Sequence, residues 1–179
     1  MPYIDRVDNT VAYRGSDTIE HYVVASGQTV KRGDFVTLTS GTITQALAKS
    51  GTANTVVTEG TTQLVLAGMC LHDGAAGETV AVLLAKEETN FLLRVVHATA
   101  ASAEQQDVTL GTAYRLGIIT IGTSGPGYYG MSTITTAATN PATIGTPELV
   151  LVEKSPESAA GDDFGFVWCA VKPGSRAHS

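Results

Sequence analysis

The chain has 179 residues, of which 43% are hydrophobic and only 16% charged, and its formal net charge is −6. A chain of this length can bury a core without disulfides or metal ions. The absence of a basic cluster argues against nucleic acid as a partner, since phosphate binding needs grouped lysines and arginines. No run approaches the ~20 apolar residues of a membrane-spanning helix, so no membrane partner is expected.

Residues 1–20 are predicted to form an extended N-terminal arm. Their large apolar side chains stand singly among charged and polar residues, with neither strand alternation nor a helical stripe. Segments that stay solvated rarely carry so many large apolar residues, so we expect the arm to dock on another surface. A frayed terminus is the alternative. The candidate binding residues of the arm are Tyr3, Ile4, Val7, Val11 and Tyr13.

Residues 21–98 are predicted to form a series of strands separated by glycine turns. The segments 35–39 and 42–46 alternate apolar and polar residues on either side of Ser40-Gly41, which predicts a hairpin. Gly33 and Gly41 are expected to take positive φ. Short strands at this spacing predict an all-β sandwich or barrel.

Residues 108–179 are predicted to form a second β-rich lobe, either separate from the first domain or continuous with it. The polar, alanine-rich segment 99–107 is the candidate boundary. At most one short helix is expected, near residues 99–106 or 156–161. Trp168 lies within the last predicted strand and is expected in the core. No tandem repeat is visible at a fixed period.

The glycine-rich segment 123–130 lacks the lysine and the following helix of a phosphate-binding loop. Its adjacent Tyr128 and Tyr129 form a candidate interface loop, because tyrosine is enriched at protein interfaces. The alternative is that strand alternation turns one ring inward and the other outward.

The ionisable residues show no pattern typical of a catalytic or metal site, so neither enzyme activity nor a cofactor is expected. The four histidines are never two or four residues apart, which is the spacing that places two rings on one face. The carboxylate pairs Glu87-Glu88 and Asp162-Asp163 are sequence neighbours, and neighbours on a strand point to opposite faces instead of across a cleft.

Cys70 and Cys169 lie in apolar strand-like runs and are predicted to be buried thiols. Met1 is followed by neither the basic region nor the apolar run of a signal peptide. We therefore expect the chain to be made and folded in a cytoplasm.

The segment from about residue 23 to 86 resembles phage capsid decoration proteins of the lambda-type head-decoration group, also called cement or head-stabilising proteins. The residues that carry the resemblance are VVASGQTVKRGDFVTLTSGTITQA and LVLAGMCLHDGAAGETVAVLLAKE. They share an apolar strand, a glycine turn, Gly-Asp-Phe-Val opening a strand, and a closing strand pair. The resemblance implies a small β-barrel of the kind called a β-tulip.

The resemblance also implies a structural virion protein on the capsid exterior, made in the host cytoplasm. Such a protein binds the outside of an assembled icosahedral shell as a homotrimer and cements neighbouring major capsid protein subunits against internal pressure. The arm would add as a strand to a capsid subunit, through backbone hydrogen bonds and pockets for alternate side chains. The alternative function is a head fibre, tail or adhesin-like β module that binds a surface receptor or glycan.

Overall fold

The computed structural model describes residues 13–48, 56–57, 63–97, 104–120, 127–133, 147–162 and 165–178. Within these ranges the chain is all-β, as predicted, with fourteen strands, two short 3₁₀ turns and no α-helix. The strands are β1 Tyr13–Arg14, β2 Ile19–Val24, β3 Thr29–Val30, β4 Phe35–Thr39, β5 Thr42–Gln45, β6 Val56–Val57, β7 Leu66–Cys70, β8 Gly74–Ala75, β9 Thr79–Leu84, β10 Asn90–Val96, β11 Ala113–Thr120, β12 Gly127–Ser132, β13 Leu149–Lys154 and β14 Phe166–Val171.

Five strands close the first barrel in the order β2-β5-β4-β7-β9. The β2–β5 pair is parallel, and the other pairs of this ring are antiparallel. Apolar side chains from all five strands pack together inside the ring, among them Val24, Val36, Ile43, Cys70 and Val82. The short strands β3 and β8 pair with each other beside the barrel.

The predicted hairpin at Ser40-Gly41 joins β4 to β5. Thr39 pairs with Thr42, and Ser40 and Gly41 have φ values of 51° and 81°. Positive φ at both central residues is the geometry of a type I′ turn, whose twist matches that of the strands. Gly33 also takes a positive φ, of 88°, as predicted.

Strands β10 to β14 form a second ring. They pair in the order β10-β12-β11-β13-β14, and β14 pairs back with β10, so the ring closes. β1 adds to an edge of β10, and β6 adds to β11. Because β10 is the first strand of this ring, the predicted boundary at 99–107 falls inside the second barrel.

The two barrels repeat one topology and one register. Each barrel has five strands, counted here in chain order. The first strand pairs in parallel with the third and antiparallel with the fifth, and the second strand pairs with the third and with the fourth. The same offsets between paired residues hold around both rings, apart from one register shift in each, next to Val36 in the first ring and next to Leu151 in the second. Corresponding pairs, first barrel before second, are Val23–Thr42 and Arg94–Gly130, Thr39–Thr42 and Gly117–Gly130, Val36–Gly68 and Tyr114–Leu149, Gly68–Leu84 and Leu149–Val171, and Val23–Thr79 and Arg94–Phe166.

The outer face of the first barrel packs against the second barrel in a shared core. Phe35, Met69 and Leu83 belong to the same buried cluster as Phe91 and Tyr129. The ring of Phe35 packs edge-on against Phe91 and Tyr129, with centroid separations of 5.0 and 6.0 Å. This packing holds the two barrels together.

Trp168 is not a core residue, which corrects the prediction made for it. Its neighbours Val167 and Cys169 are fully buried, and alternation along β14 places the indole on the outer face, half-buried. The Arg14 guanidinium lies 4.7 Å from the centre of the indole ring and also pairs with the Glu153 carboxylate at 2.5 Å. Trp168 thus helps to hold β1 on the second barrel.

Candidate interaction site

Part of the predicted arm, from Tyr13 onward, lies within the folded protein. Tyr13 pairs with Phe91 as part of β1, and its ring packs against the buried cluster of the second barrel. Tyr13–Arg14 and Ile19–Glu20 therefore belong to the chain's own sheets, and backbone pairing and burial of the phenol ring stabilise Tyr13 there. The other candidate arm residues, Tyr3, Ile4, Val7 and Val11, lie outside the described residues.

The candidate interface loop at Tyr128 and Tyr129 is instead part of a strand, β12. Tyr129 is only 7% exposed, and its hydroxyl accepts the N–H of Leu47 at 3.0 Å and donates to the Leu47 carbonyl at 2.5 Å. Burial raises the pKa of this hydroxyl. Tyr128 is half-buried on the other face. The inward-and-outward alternative is therefore confirmed, and Tyr129 is unavailable to a partner.

The buried ion pair between Arg115 and Glu148 serves the fold. Glu148 is fully buried, and its carboxylate accepts the N–H groups of Leu64 at 3.3 Å and Leu116 at 3.0 Å. Arg115 Nη2 lies 3.5 Å from the same carboxylate. These contacts join three chain segments that are distant in sequence. No sequence pattern predicts this pair, because Arg115 and Glu148 lie in separate segments of the chain.

Asp34 is a second buried carboxylate, and it closes the turn that leads into β4. Its Oδ2 accepts the Lys31 N–H at 2.8 Å and the Gln45 Nε2 at 2.5 Å. Burial raises the pKa of Asp34, while these two hydrogen bonds act in the opposite direction. A hydrogen bond of the same spacing joins the Glu104 N–H to Asp107 at 2.9 Å, but in the shared register the counterpart of Asp34 is Thr112.

The remaining ionisable groups of the described ranges form no metal site: no three histidine, cysteine, aspartate or glutamate side chains there are grouped to hold an ion. Exposed Asp73 pairs with Lys31 at 2.8 Å and accepts the Arg32 N–H at 2.9 Å. None of the helical turns in these ranges is long and apolar enough to cross a membrane.

Strand β2 presents an open edge on the first barrel. β9 pairs with β2 along Ile19–Val23, but β5 pairs with it only at Val23 and Val24. Ala25 donates its N–H to the carbonyl of Ile43, so this N–H points toward β5. Backbone groups alternate sides along a strand, so the N–H and C=O groups of Ile19 and His21 also point toward the β5 side. No residue within the described ranges pairs with those groups.

The side chains along this edge are also accessible. Ile19 is 44% exposed and Val23 is 40% exposed, and Glu20 and His21 between them are exposed as well. Exposed apolar side chains beside unpaired backbone groups are the features that allow another strand to add to a sheet. The residues Ile19–Val23 are called the β2 edge below, and they are the candidate interaction site.

The sequence matches no known family model, and no curated protein is significantly similar to it.

Proposed function

We propose that this is a structural virion protein that binds the outside of an assembled icosahedral phage capsid and cements neighbouring major capsid protein subunits. The observation that carries the proposal is the extent of the resemblance. The decoration-protein pattern covers about residues 23–86, and the first closed barrel runs from β2 to the end of β9, Ile19 to Leu84. The resemblance thus spans this barrel except for Ile19–Tyr22 of β2.

The buried chemistry supports a role based on shape and rigidity. Arg115, Glu148 and Asp34 are occupied by structural hydrogen bonds. Burial raises the pKa of Cys70 to about 12 and also raises that of Cys169, so both thiols stay protonated near neutral pH. A protein that stabilises a shell by contact needs a rigid body more than a reactive side chain.

The double barrel also supports attachment at more than one point. Two similar barrels that share a core hold their surfaces at a fixed separation. Binding of one barrel to the shell therefore raises the effective concentration of the other barrel at its own binding site on the shell. A homotrimer, which the resemblance implies, multiplies these contacts further. In this proposal residues 1–12 form the arm that adds to a capsid subunit.

Co-sedimentation tests the proposal. We expect the full-length protein to pellet with purified empty shells of the phage that encodes it, to saturate at a fixed ratio, and to raise the temperature at which the shells open. A variant that lacks residues 1–12 retains every described strand and is expected to bind more weakly. A protein that stays in the supernatant with saturating shells but binds immobilised glycans would instead be a receptor-binding module.

A further inference from the structure

The β2 edge has a counterpart in the second barrel that is already filled. Strand β1 pairs antiparallel with Asn90 and Phe91 at the start of β10. In the shared register these two residues correspond to Ile19 and Glu20 at the start of β2. β14 takes up the other side of β10 there, so β1 lies on the side that β5 leaves open on β2. The barrel topology therefore accepts an antiparallel strand at this position.

A second copy of the chain can fill the open position on β2 with its own β2. Two identical strands that pair antiparallel are related by a two-fold axis, which is the commonest symmetry of protein dimers. The N–H and C=O groups of Ile19 and His21 point outward from the edge. In an antiparallel ladder such groups must meet groups of the other strand that also point outward. This requirement limits where the axis can pass.

The residues of the edge select one position for the axis. The open groups of Ile19 and His21 can pair with one another only if the axis passes at Ile19, Glu20 or His21. An axis at His21 requires the backbone groups of Val23, which already pair with β5. An axis at Glu20 places two carboxylates directly opposite each other, which destabilises a sheet. An axis at Ile19 avoids both conflicts, because it places Glu20 opposite Thr18 of the other copy.

The side chains that meet at this register are complementary. Ile19, which is 44% exposed, lies opposite Ile19 of the other copy, and on either side of this pair an exposed Asp17 lies opposite an exposed His21. The extended chain begins next to Asp17, since the Thr18 carbonyl already accepts the Leu84 N–H at 2.9 Å. The Asp17 carboxylate can accept an imidazole N–H. Apolar pairs and acid–base pairs directly across two antiparallel strands both stabilise a sheet.

We propose that the β2 edge is a two-fold contact between two copies of this protein. Their β2 strands pair antiparallel about an axis at Ile19, and Asp17 of each copy contacts His21 of the other. The contact goes beyond the proposed function, because it forms in the free protein and requires no shell. A contact through residues 17–21 buries less area than a stable dimer, so we expect weak association that increases with concentration. Copies held close together on a shell would make the same contact more often.

Disulfide formation tests the position of the axis. In Ile19→Cys the two introduced thiols would face each other in a hydrogen-bonded pair, whose Cα atoms are about 5.5 Å apart and within the range of a disulfide. Val23→Cys is the matched control, because Val23 lies on the same strand and is 40% exposed. The proposed axis separates the two copies of this position by roughly 25 Å. Under mild oxidation, a non-reducing gel should show a covalent dimer for Ile19→Cys and only monomer for Val23→Cys, since Cys70 and Cys169 are buried.

A charge exchange tests the contact between Asp17 and His21. His21→Asp would place two carboxylates opposite each other on both sides of the axis and should weaken self-association by on the order of tenfold. Adding Asp17→Lys to this variant restores opposite charges across the contact and should recover the association. Val152→Asp, at a position that is 42% exposed on β13, is the control for an added negative charge and should associate as the original protein does. Sedimentation velocity over a range of concentrations measures the association, and circular dichroism shows that each variant is folded.

Three outcomes would overturn this inference. If Ile19→Cys does not cross-link, or cross-links no faster than Val23→Cys, the two-fold contact is absent. If His21→Asp associates as well as the original protein, Asp17 and His21 do not meet and the register is wrong. If the free protein does not self-associate and the segment 17–25 gains protection from hydrogen exchange only with shells, a capsid segment occupies the edge instead. Co-sedimentation with shells is a separate measurement, so the proposed function stands or fails independently of these results.

Discussion

The hydroxyl of Tyr129, in the second barrel, makes hydrogen bonds to both the backbone N–H and the backbone C=O of Leu47, which follows the β4–β5 hairpin of the first. Both residues are buried, at 7% and 2% exposure. A single side-chain oxygen therefore satisfies two buried backbone groups across the contact between the barrels. The same ring packs edge-on against Phe35.

We predict that Tyr129→Phe destabilises the protein by about 1–3 kcal/mol, because it leaves the N–H and C=O of Leu47 buried without these partners. Urea unfolding followed by fluorescence or circular dichroism measures the change. Tyr128→Phe, at the half-buried neighbour on the other face of β12, is the control and should have little effect. Equal stability of the two variants would contradict the bridging role of Tyr129.

Arg115→Met is predicted to cost about 3–5 kcal/mol, because it leaves the fully buried Glu148 carboxylate without its cation. Arg14→Met, which breaks the partly exposed pair with Glu153, should cost only about 1 kcal/mol or less. Thermal and chemical unfolding of both variants provide the comparison. A smaller loss for Arg115→Met than for Arg14→Met would show that the buried pair is dispensable.

Asp34 is predicted to make stability depend on pH in a definite direction. Burial raises its folded-state pKa above the ordinary value of 3.8, so the folded state binds more protons than the unfolded state between the two values. The stability that Asp34 contributes is therefore present at pH below 3.8 and is lost as pH rises through the folded-state pKa. Asn at this position does not titrate.

Asp34→Asn should accordingly gain stability relative to the original protein as pH is raised from about 3.5 to 7, since Asn never places a charge in the buried turn. Urea unfolding of both proteins across this range gives the difference at each pH. If the stability difference between the two proteins stays constant or shrinks as pH rises, desolvation does not dominate the pKa of Asp34.

The two cysteines are predicted to be inert in the folded protein. Both are fully buried, and burial raises the pKa of each thiol, so the reactive thiolate is scarce as well as inaccessible. Ellman's reagent should label neither thiol under native conditions and both after denaturation. Leu110→Cys, at a position that is 58% exposed, supplies the reactive control. Rapid labelling of the unsubstituted native protein would contradict the burial of the thiols.

The local features of the first barrel could be predicted from sequence because short-range rules decide them. Alternation on both sides of Ser40-Gly41 predicts a hairpin with a positive φ at Gly41, and the structure has that hairpin, with a positive φ at Ser40 as well. Long-range partners follow no such rule. The segment that forms β10 was predicted to belong with the strands before it, although its pairing partners β12 and β14 lie well after it in the chain.

The internal repeat could not be seen in the sequence. A closed β-barrel constrains the pairing register and requires apolar side chains in its interior, but it does not constrain the identity of each residue. Thr42 corresponds to Gly130, and Gly68 corresponds to Leu149. The hairpin turns also differ in length, since Thr39–Thr42 is a two-residue turn and Thr120 pairs with Gly127. A search for a fixed period therefore finds nothing, while the pairing pattern shows the repetition directly.

The candidate site could not be predicted from the sequence either. Ile19, Glu20 and His21 look like the start of an ordinary strand, and their openness depends on β5 pairing with β2 only at Val23 and Val24. The predicted arm residue Tyr13 was misplaced for a related reason. An isolated tyrosine among polar residues suits either a free arm or a short edge strand, and only the three-dimensional position of Phe91 decides between them.

Cryo-electron microscopy of empty phage shells incubated with the full-length protein tests the central claim most directly. We expect density for both barrels on the outer surface, at positions that bridge neighbouring major capsid protein subunits. Shells that remain bare at saturating protein, or density confined to a tail or fibre, would contradict it.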